Sequence, residues 1–248
     1  MQYGPKLAEG KTKIIYAHPD DPALALMAHK DGITAGDGAR RSEIPGKGAL
    51  AGRTTANVFA LLNRAGLPTH FVAAPDPAVT VVRRCAMIPL EVVTRRLAAG
   101  SYLRRNPGVA EGARFEPPLV ELFLKDDAAH DPLITPEEVV ARGVASQAEV
   151  EQMAALALRV FEVLEAAWAK LDVTLVDLKI EFGRAPDGAL LVADVIDNDS
   201  WRIWPGGDPA RMLDKQVYRN AAAVDEALLA DVRARYAQVA DLTDRFNV

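Results

Sequence analysis

The sequence predicts an α+β protein with two lobes, a β-rich lobe over residues 1–88 and a larger mixed lobe over residues 89–248. Two observations predict it. The first ninety residues carry short β-prone runs parted by Pro, Asp and Gly turns and interrupted by one helical stretch. Beyond them, strands alternate with longer helical patterns.

In the first lobe the β-prone runs are Lys13 to Tyr16, Ala23 to Ala28, His70 to Ala74 and Val79 to Arg84. The helix is expected from about Leu50 to Arg64, with Gly66 suited to a left-handed C-cap. The boundary falls at Met87-Ile88-Pro89, where the strand pattern pauses before a new run from Glu91 to Leu97. In the second lobe Thr135-Pro136-Glu137-Glu138 is a capping box with proline at the first helical position. Ser146-Gln147-Ala148-Glu149 is another, opening a helix to about Leu171 whose buried face is read from Val150, Met153, Ala154, Ala157, Val160, Phe161, Leu164, Trp168 and Leu171. From Leu175 to Phe182 the chain alternates: Val176, Leu178, Ile180 and Phe182 on one face, Asp177, Lys179 and Glu181 on the other. A turn at Ala185-Pro186-Asp187-Gly188 leads to a second strand, Leu190 to Ile196, carrying Asp194.

Composition narrows the functions. The formal net charge of -5 over 248 residues argues against a nucleic-acid partner. No apolar stretch approaches the ~20 residues of a membrane span, and MQYGPKLAEGKTK lacks the apolar segment of a secretory signal. The single cysteine, Cys85, fits a reducing cytoplasm and reads as a buried thiol in an apolar strand pattern. His18, His29, His70 and His130 are scattered without zinc-ligand spacing.

Four clusters carry chemistry. Glu9-Gly10-Lys11-Thr12-Lys13 imitates the end of a P-loop, but Pro5 stands where that motif needs glycine. What survives is a strand-turn-strand flap over phosphates, or a solvated turn with two lysines. The polar run Asp31 to Arg41 reads equally as a wrapping for a polar ligand or a long surface connection. Arg95-Arg96, Gly100-Ser101 and Arg104-Arg105, with Lys125-Asp126-Asp127, suit a phosphate monoester, though solvated arginines fit the same letters. The last is Glu181 with Asp194. If Arg184 pairs with Ala189, Glu181 lies opposite Val192 and Asp194 is its diagonal neighbour, at about 7 Å on the same face. Two such carboxylates can share one Mg²⁺, and a register change of one residue would part them.

Taken in order, these clusters resemble SAICAR synthetases. The resemblance rests on Leu7-Ala8-Glu9-Gly10-Lys11-Thr12-Lys13, Thr34-Ala35-Gly36-Asp37-Gly38-Ala39-Arg40, Met87-Ile88-Pro89-Leu90-Glu91-Val92-Val93, Gly100-Ser101, Glu121 to Asp127 with His130-Asp131-Pro132, and Leu175 to Gly183. It implies a kinase-like ATP-binding fold and an ATP- and Mg²⁺-dependent ligase of de novo purine biosynthesis. That ligase joins CAIR, a ribotide of aminoimidazole carboxylic acid, to L-aspartate through an acyl phosphate. By the same resemblance Gly10, Lys11, Thr12 and Lys13 would hold ATP phosphates, Met87 would line the adenine slot, and Lys125 would reach ribose or phosphates. Glu181 and Asp194 would carry magnesium. Arg95, Ser101 and Arg202 would bind the ribotide 5′-phosphate, with Asp37 and Asp199 near its imidazole and ribose. Lys125, Lys179 and Asp199 are the expected catalytic groups, and Arg40, Arg219 and Lys215 are candidates for the aspartate carboxylates. The resemblance also implies a homo-oligomer. The segment Asp194-Val195-Ile196-Asp197-Asn198-Asp199-Ser200-Trp201-Arg202 looks like the synthetase half of the animal bifunctional enzyme. The chain is too short for the adjoining carboxylase, so synthetase activity alone is expected.

Overall fold

The computed structural model describes residues 2–36 and 38–247. The chain runs through β1 (Lys6–Glu9), β2 (Lys13–Ala17), β3 (Leu24–His29), a hairpin of β4 (Gly32–Ala35) and β5 (Arg40–Glu43), helix α1 (Lys47–Arg64), β6 (Phe71–Asp76) and β7 (Val79–Arg83). It continues with β8 (Ala86–Leu97), α2 (Ser101–Arg105), β9 (Arg114–Leu124), β10 (Leu133–Ile134), α3 (Pro136–Ala141), α4 (Gln147–Ala169), β11 (Val173–Arg184), β12 (Leu190–Ala193), β13 (Trp201–Pro205), α5 (Gln216–Asn220) and α6 (Glu226–Asp244). One antiparallel sheet has the order β1-β2-β3-β7-β6, and a second has β10-β9-β8-β11-β12.

The free edge of β11 is shared. Its first half pairs with β13 and its last four residues with β12. Residues 194–200 connect those two partners and so leave the edge opposite Lys179 and Ile180. This split places Asp194, Asp197 and Asp199 beside the polar face of β11. The two sheets are joined where the His70 N–H donates to Val192 O at 3.0 Å and the Val192 N–H to Pro68 O at 2.9 Å.

Both capping boxes are present, Thr135 with Glu138 and Ser146 with Glu149. Most of the expected face of α4 is buried against the second sheet in one cluster with Phe59, Leu62, Phe182 and Trp201, but Ala154 and Leu171 are only half-buried and the unexpected Leu156 is buried with the rest. Gly66 has φ 72 and closes α1 as expected. The helix itself starts three residues early. Its N-terminal amides are capped from a distance by Asp31, whose carboxylate accepts from Gly46 N at 2.9 Å and Gly48 N at 2.8 Å.

Other expectations need correction. Strand β8 begins at Ala86, so Met87-Ile88-Pro89 lies inside a strand. Pro89 is tolerated because β8 and β11 fall out of register there, between Glu181 and Gly183. The expected alternation also fails at Val176. A bulge between Leu175 and Asp177 turns Val176 toward Ala99 and Trp204, while Leu175 joins Leu178, Ile180 and Phe182 in the main core. The polar run from Asp31 contains the β4–β5 hairpin, which packs with α1 and α6 around Ile33, Ile44, Tyr218 and Tyr236.

Candidate active site

The β11–β12 hairpin differs from expectation by one residue. Arg184 faces Leu190 and Glu181 faces Ala193, because Ala185 N–H donates to Ala189 O and closes a shorter loop. Continued as a regular strand, this register would send Asp194 to the face opposite Glu181. It does not, because β12 ends at Ala193 and Asp194 adopts φ 67. That left-handed turn carries a cost of about 1–2 kcal/mol for a residue with a Cβ. It brings the Asp194 carboxylate into a cavity of about 100 Å³ lined also by Glu181, Lys13, Lys179 and Asp199.

The charges there are interlocked. Lys125 Nζ donates to Glu181 Oε2 at 2.7 Å, and Lys179 Nζ to Glu91 Oε1 at 2.7 Å and Glu181 Oε1 at 3.3 Å. Lys13, on β2, forms an ion pair with Asp194 that spans the cleft between the sheets. Burial alone would raise the Glu181 carboxyl, but Lys179, Lys125 and Lys13 outweigh it and hold it below the usual range. For Lys179 burial is likewise overcome, by Glu181 and Glu91, and its ammonium is held above the ordinary value. Burial does prevail at Lys13, which is pulled down to about 8 despite Glu181. Glu181 and Asp194 supply hard oxygen donors on one cavity, which fits a Mg²⁺ that keeps water and phosphate oxygens as its remaining ligands. Among the described residues no group of three or more His, Cys, Asp or Glu side chains could cage a metal.

This small cavity lies between two larger ones. The first, about 460 Å³, has apolar walls from Leu7, Ile15, Met27, Val82 and Met87, and it also meets Gly10, Lys13, Lys125, Glu181 and Asp194. Gly10 N–H donates to Lys13 O at 2.9 Å, so the flap is the tight turn between β1 and β2. Cys85, expected inside a strand, instead sits half-buried between β7 and β8 and lines this cavity, where burial raises its thiol.

The second, about 370 Å³, is polar and is lined by Lys11, Thr12, Arg95, Asp177, Lys179, Asp199, Arg202, Lys215 and Arg219. At its edge Arg95 donates to Asp177 at 2.7 Å, to Glu121 at 2.7 Å and to Ser101 Oγ at 3.2 Å. Arg202 also pairs with Asp177. Gly100 has φ 56, and a Cβ at this position would run into the Arg202 guanidinium. Asp199 is gripped on both oxygens, by Lys215 Nζ at 2.6 Å and by the Tyr236 hydroxyl. Burial would raise it, but Lys215 and Lys47 prevail and keep it well below the carboxylate range. Its neighbour Asp197 is raised to about 6 by burial and by Asp199.

The structure thus gathers Gly10, Lys11, Thr12, Lys13, Met87, Arg95, Ser101, Lys125, Lys179, Glu181, Asp194, Asp199 and Arg202 around adjoining cavities. Asp37 lies outside the described residues. Two of the arginines grouped with Arg95, and the aspartate candidate Arg40, do other work. Arg96 pairs with Glu165 of α4, Arg105 with Glu121, and Arg40 ties β5 to the carbonyls of Tyr218 and Ala221. Glu91, Asp177 and Tyr236 join the site without an expected role. Asp177 carried a signal, sharing the predicted polar face of its strand with Lys179 and Glu181. Tyr236 carried none, since its contact with Asp199 joins segments 37 residues apart.

Fold and cavities together define a kinase-like, two-lobed enzyme with a nucleotide-sized cleft between its sheets. The chain belongs to the SAICAR synthetase family, which it matches over residues 6–234. It is 75% identical to the phosphoribosylaminoimidazole-succinocarboxamide synthase of Chloroflexus aggregans, over 100% of this chain and 98% of that protein. It is 47% identical to a bifunctional carboxylase/synthetase of Drosophila melanogaster, over 96% of this chain and 57% of that protein, in keeping with the animal-like Asp194–Arg202 segment. A solved synthase from Ehrlichia chaffeensis superposes with TM-score 0.87 at 30% identity, covering 97% of this chain and 98% of that one. A SAICAR synthetase in complex with ADP superposes with TM-score 0.83 at 35% identity, covering 93% and 97%.

Proposed function

We propose that the chain joins CAIR and L-aspartate to give SAICAR, ADP and phosphate, with ATP in the apolar-walled cavity and the ribotide in the polar one. One observation carries this reading: the small cavity between them draws Lys13, Glu181 and Asp194 from the wall of the first and Lys179 and Asp199 from the wall of the second. Phosphoryl transfer from nucleotide to carboxylate needs such a junction, with both reactants aligned and cations along the path.

In this reading a CAIR carboxylate oxygen attacks the γ-phosphorus of ATP and ADP leaves. The aspartate amine then attacks the acyl carbon, phosphate departs, and the nitrogen loses a proton as the amide forms. Lys11, Thr12 and Lys13 hold phosphates from the flap, Met87 flanks the adenine, and Lys125 and Lys179 neutralise charge on the transferred group. Glu181 and Asp194 would hold Mg²⁺, which when bound would neutralise phosphate charge. Arg95, Ser101 and Arg202 hold the ribotide phosphate. Asp199, with both oxygens gripped, serves as a fixed hydrogen-bond acceptor for the ribotide rather than as a proton carrier. Of the candidates for aspartate, Arg219 fits best, since Lys215 is paired with Asp199 and Arg40 with backbone carbonyls. Residues 1–88 act as the covering lobe, and the family's implied cytoplasmic homo-oligomer is part of the same proposal. No helix among the described residues is long and apolar enough to cross a membrane.

The test is an assay for ADP and succinocarboxamide product, omitting CAIR, ATP, Mg²⁺ and L-aspartate in turn. Product that requires all four is expected. ADP released at full rate without L-aspartate would mark a kinase instead.

A further inference from the structure

Tyr236 lies on α6, beyond the residues matched by the family. Its ring is 1% exposed and packs in the apolar cluster of Ile33, Ile44 and Val232, with Lys47 Nζ 5.1 Å from the ring centroid. Phenylalanine would fill that space equally well. Among the described residues the hydroxyl has one partner, Asp199 Oδ1, while Lys215 takes Oδ2 at 2.6 Å. Lys215 alone would neutralise the carboxylate. A second donor on the other oxygen fixes the plane of the group, because two torsions are then locked. Asp199 is also held from its backbone, donating its N–H to Asp197 Oδ1 at 2.8 Å. This grip acts on a side chain that remains partly open and lines both polar cavities.

We propose that Tyr236 is a positioning residue for ribotide binding, through which the C-terminal helix aims the Asp199 carboxylate into the substrate cavity. The proposal rests on the ligase reading above, in which Asp199 faces the ribotide. It separates two halves of the site: α6 lines neither cavity, but through Tyr236 it grips Asp199, which lines the polar cavity and not the nucleotide one.

The test uses the full chain with Tyr236→Phe, Asp199→Asn and the double variant, reading KM for CAIR, the dissociation constant for ADP and the melting temperature. Losing one hydrogen bond to a charged group is expected to raise KM for CAIR about tenfold in Tyr236→Phe. ADP affinity is expected to stay within about twofold. In the Asp199→Asn background the same change is expected to have no further effect, because the hydroxyl acts through that carboxylate. An unchanged KM in Tyr236→Phe, whatever its melting temperature, would overturn the proposal. So would a tenfold loss that persists on top of Asp199→Asn, or an equal loss of ADP affinity, both of which mark a general structural role. The ligase reading fails separately, by absence of product from the unaltered chain.

Discussion

Two charge clusters use the same residue types to different ends. At the lip of the flap Lys6 and Lys30 pair with Glu9 at 2.9 Å, and all three side chains are at least one-third exposed. On the floor Lys125 and Lys179 pair with Glu181 at 2.7 and 3.3 Å, but the Glu181 side chain is only 5% exposed. Water and salt screen the first cluster, and long side chains lose entropy on forming it. The second is built around Glu181 on β11, where that buried carboxylate is poorly screened although Lys125, at 42% exposed, reaches it from solvent. Geometry alone does not separate the two. Burial of the shared carboxylate does, and in the proposed reaction it is what holds charge ready for a reacting phosphate.

The sharpest way to break this contrast is Glu181→Gln. Turnover, read as ADP release, is expected to fall at least about 100-fold. The substitution also removes the carboxylate shared by Lys179 and Lys125, but Lys179 keeps Glu91 and Lys125 reaches solvent, so stability to urea should fall by only about 1 kcal/mol. Near-wild-type turnover would put the floor on a par with the lip.

Gly100→Ala comes next. A Cβ at φ 56 meets the Arg202 guanidinium, so KM for CAIR is expected to rise at least about tenfold, with ADP affinity unchanged. An equal loss for both substrates would mean that the damage spreads through the fold.

A smaller effect is expected from pH. Burial holds the His70 imidazole neutral down to about 3, against 6.5 for the exposed group. Between those values the unfolded chain binds a proton that the folded chain does not, so His70 costs the native state stability as pH falls, up to about 1.4 kcal/mol per unit. Asp197 and Asp214, raised to about 6 by burial, act in the opposite sense and lose their contribution as pH rises through that value. The difference between wild type and His70→Phe isolates the histidine. Urea midpoints at pH 7 and pH 5 should move in the variant's favour at the lower pH, and parallel midpoints would contradict this.

At the other extreme is Lys6→Ala on the lip. Activity and melting temperature should match the wild type within error, because an exposed pair contributes little.

How much of this was legible in the sequence depended on the range of the interaction. Both capping boxes were readable because donor and acceptor lie three residues apart. The polar face of β11 was readable because alternation is a local property. The hairpin register was not, since it turned on whether Ala185 or Arg184 closes the loop against Ala189. Asp194 comes to the same cavity as Glu181 through a left-handed turn, which an aspartate tolerates but which the alternation of β12 does not announce. The early start of α1 depended on Asp31, 15 residues before its cap, and the grip of Tyr236 on Asp199 spans 37. Such contacts exist only once the sheets have met.

The affinity for ADP, titrated with and without Mg²⁺ in the wild type and in Asp194→Asn, is the most direct measurement. If Asp194 and Glu181 grip a single ion against the nucleotide phosphates, Mg²⁺ should tighten binding about tenfold or more in the wild type. That gain should vanish in Asp194→Asn. A variant that keeps the full Mg²⁺ gain would show that Asp194 does not hold the ion.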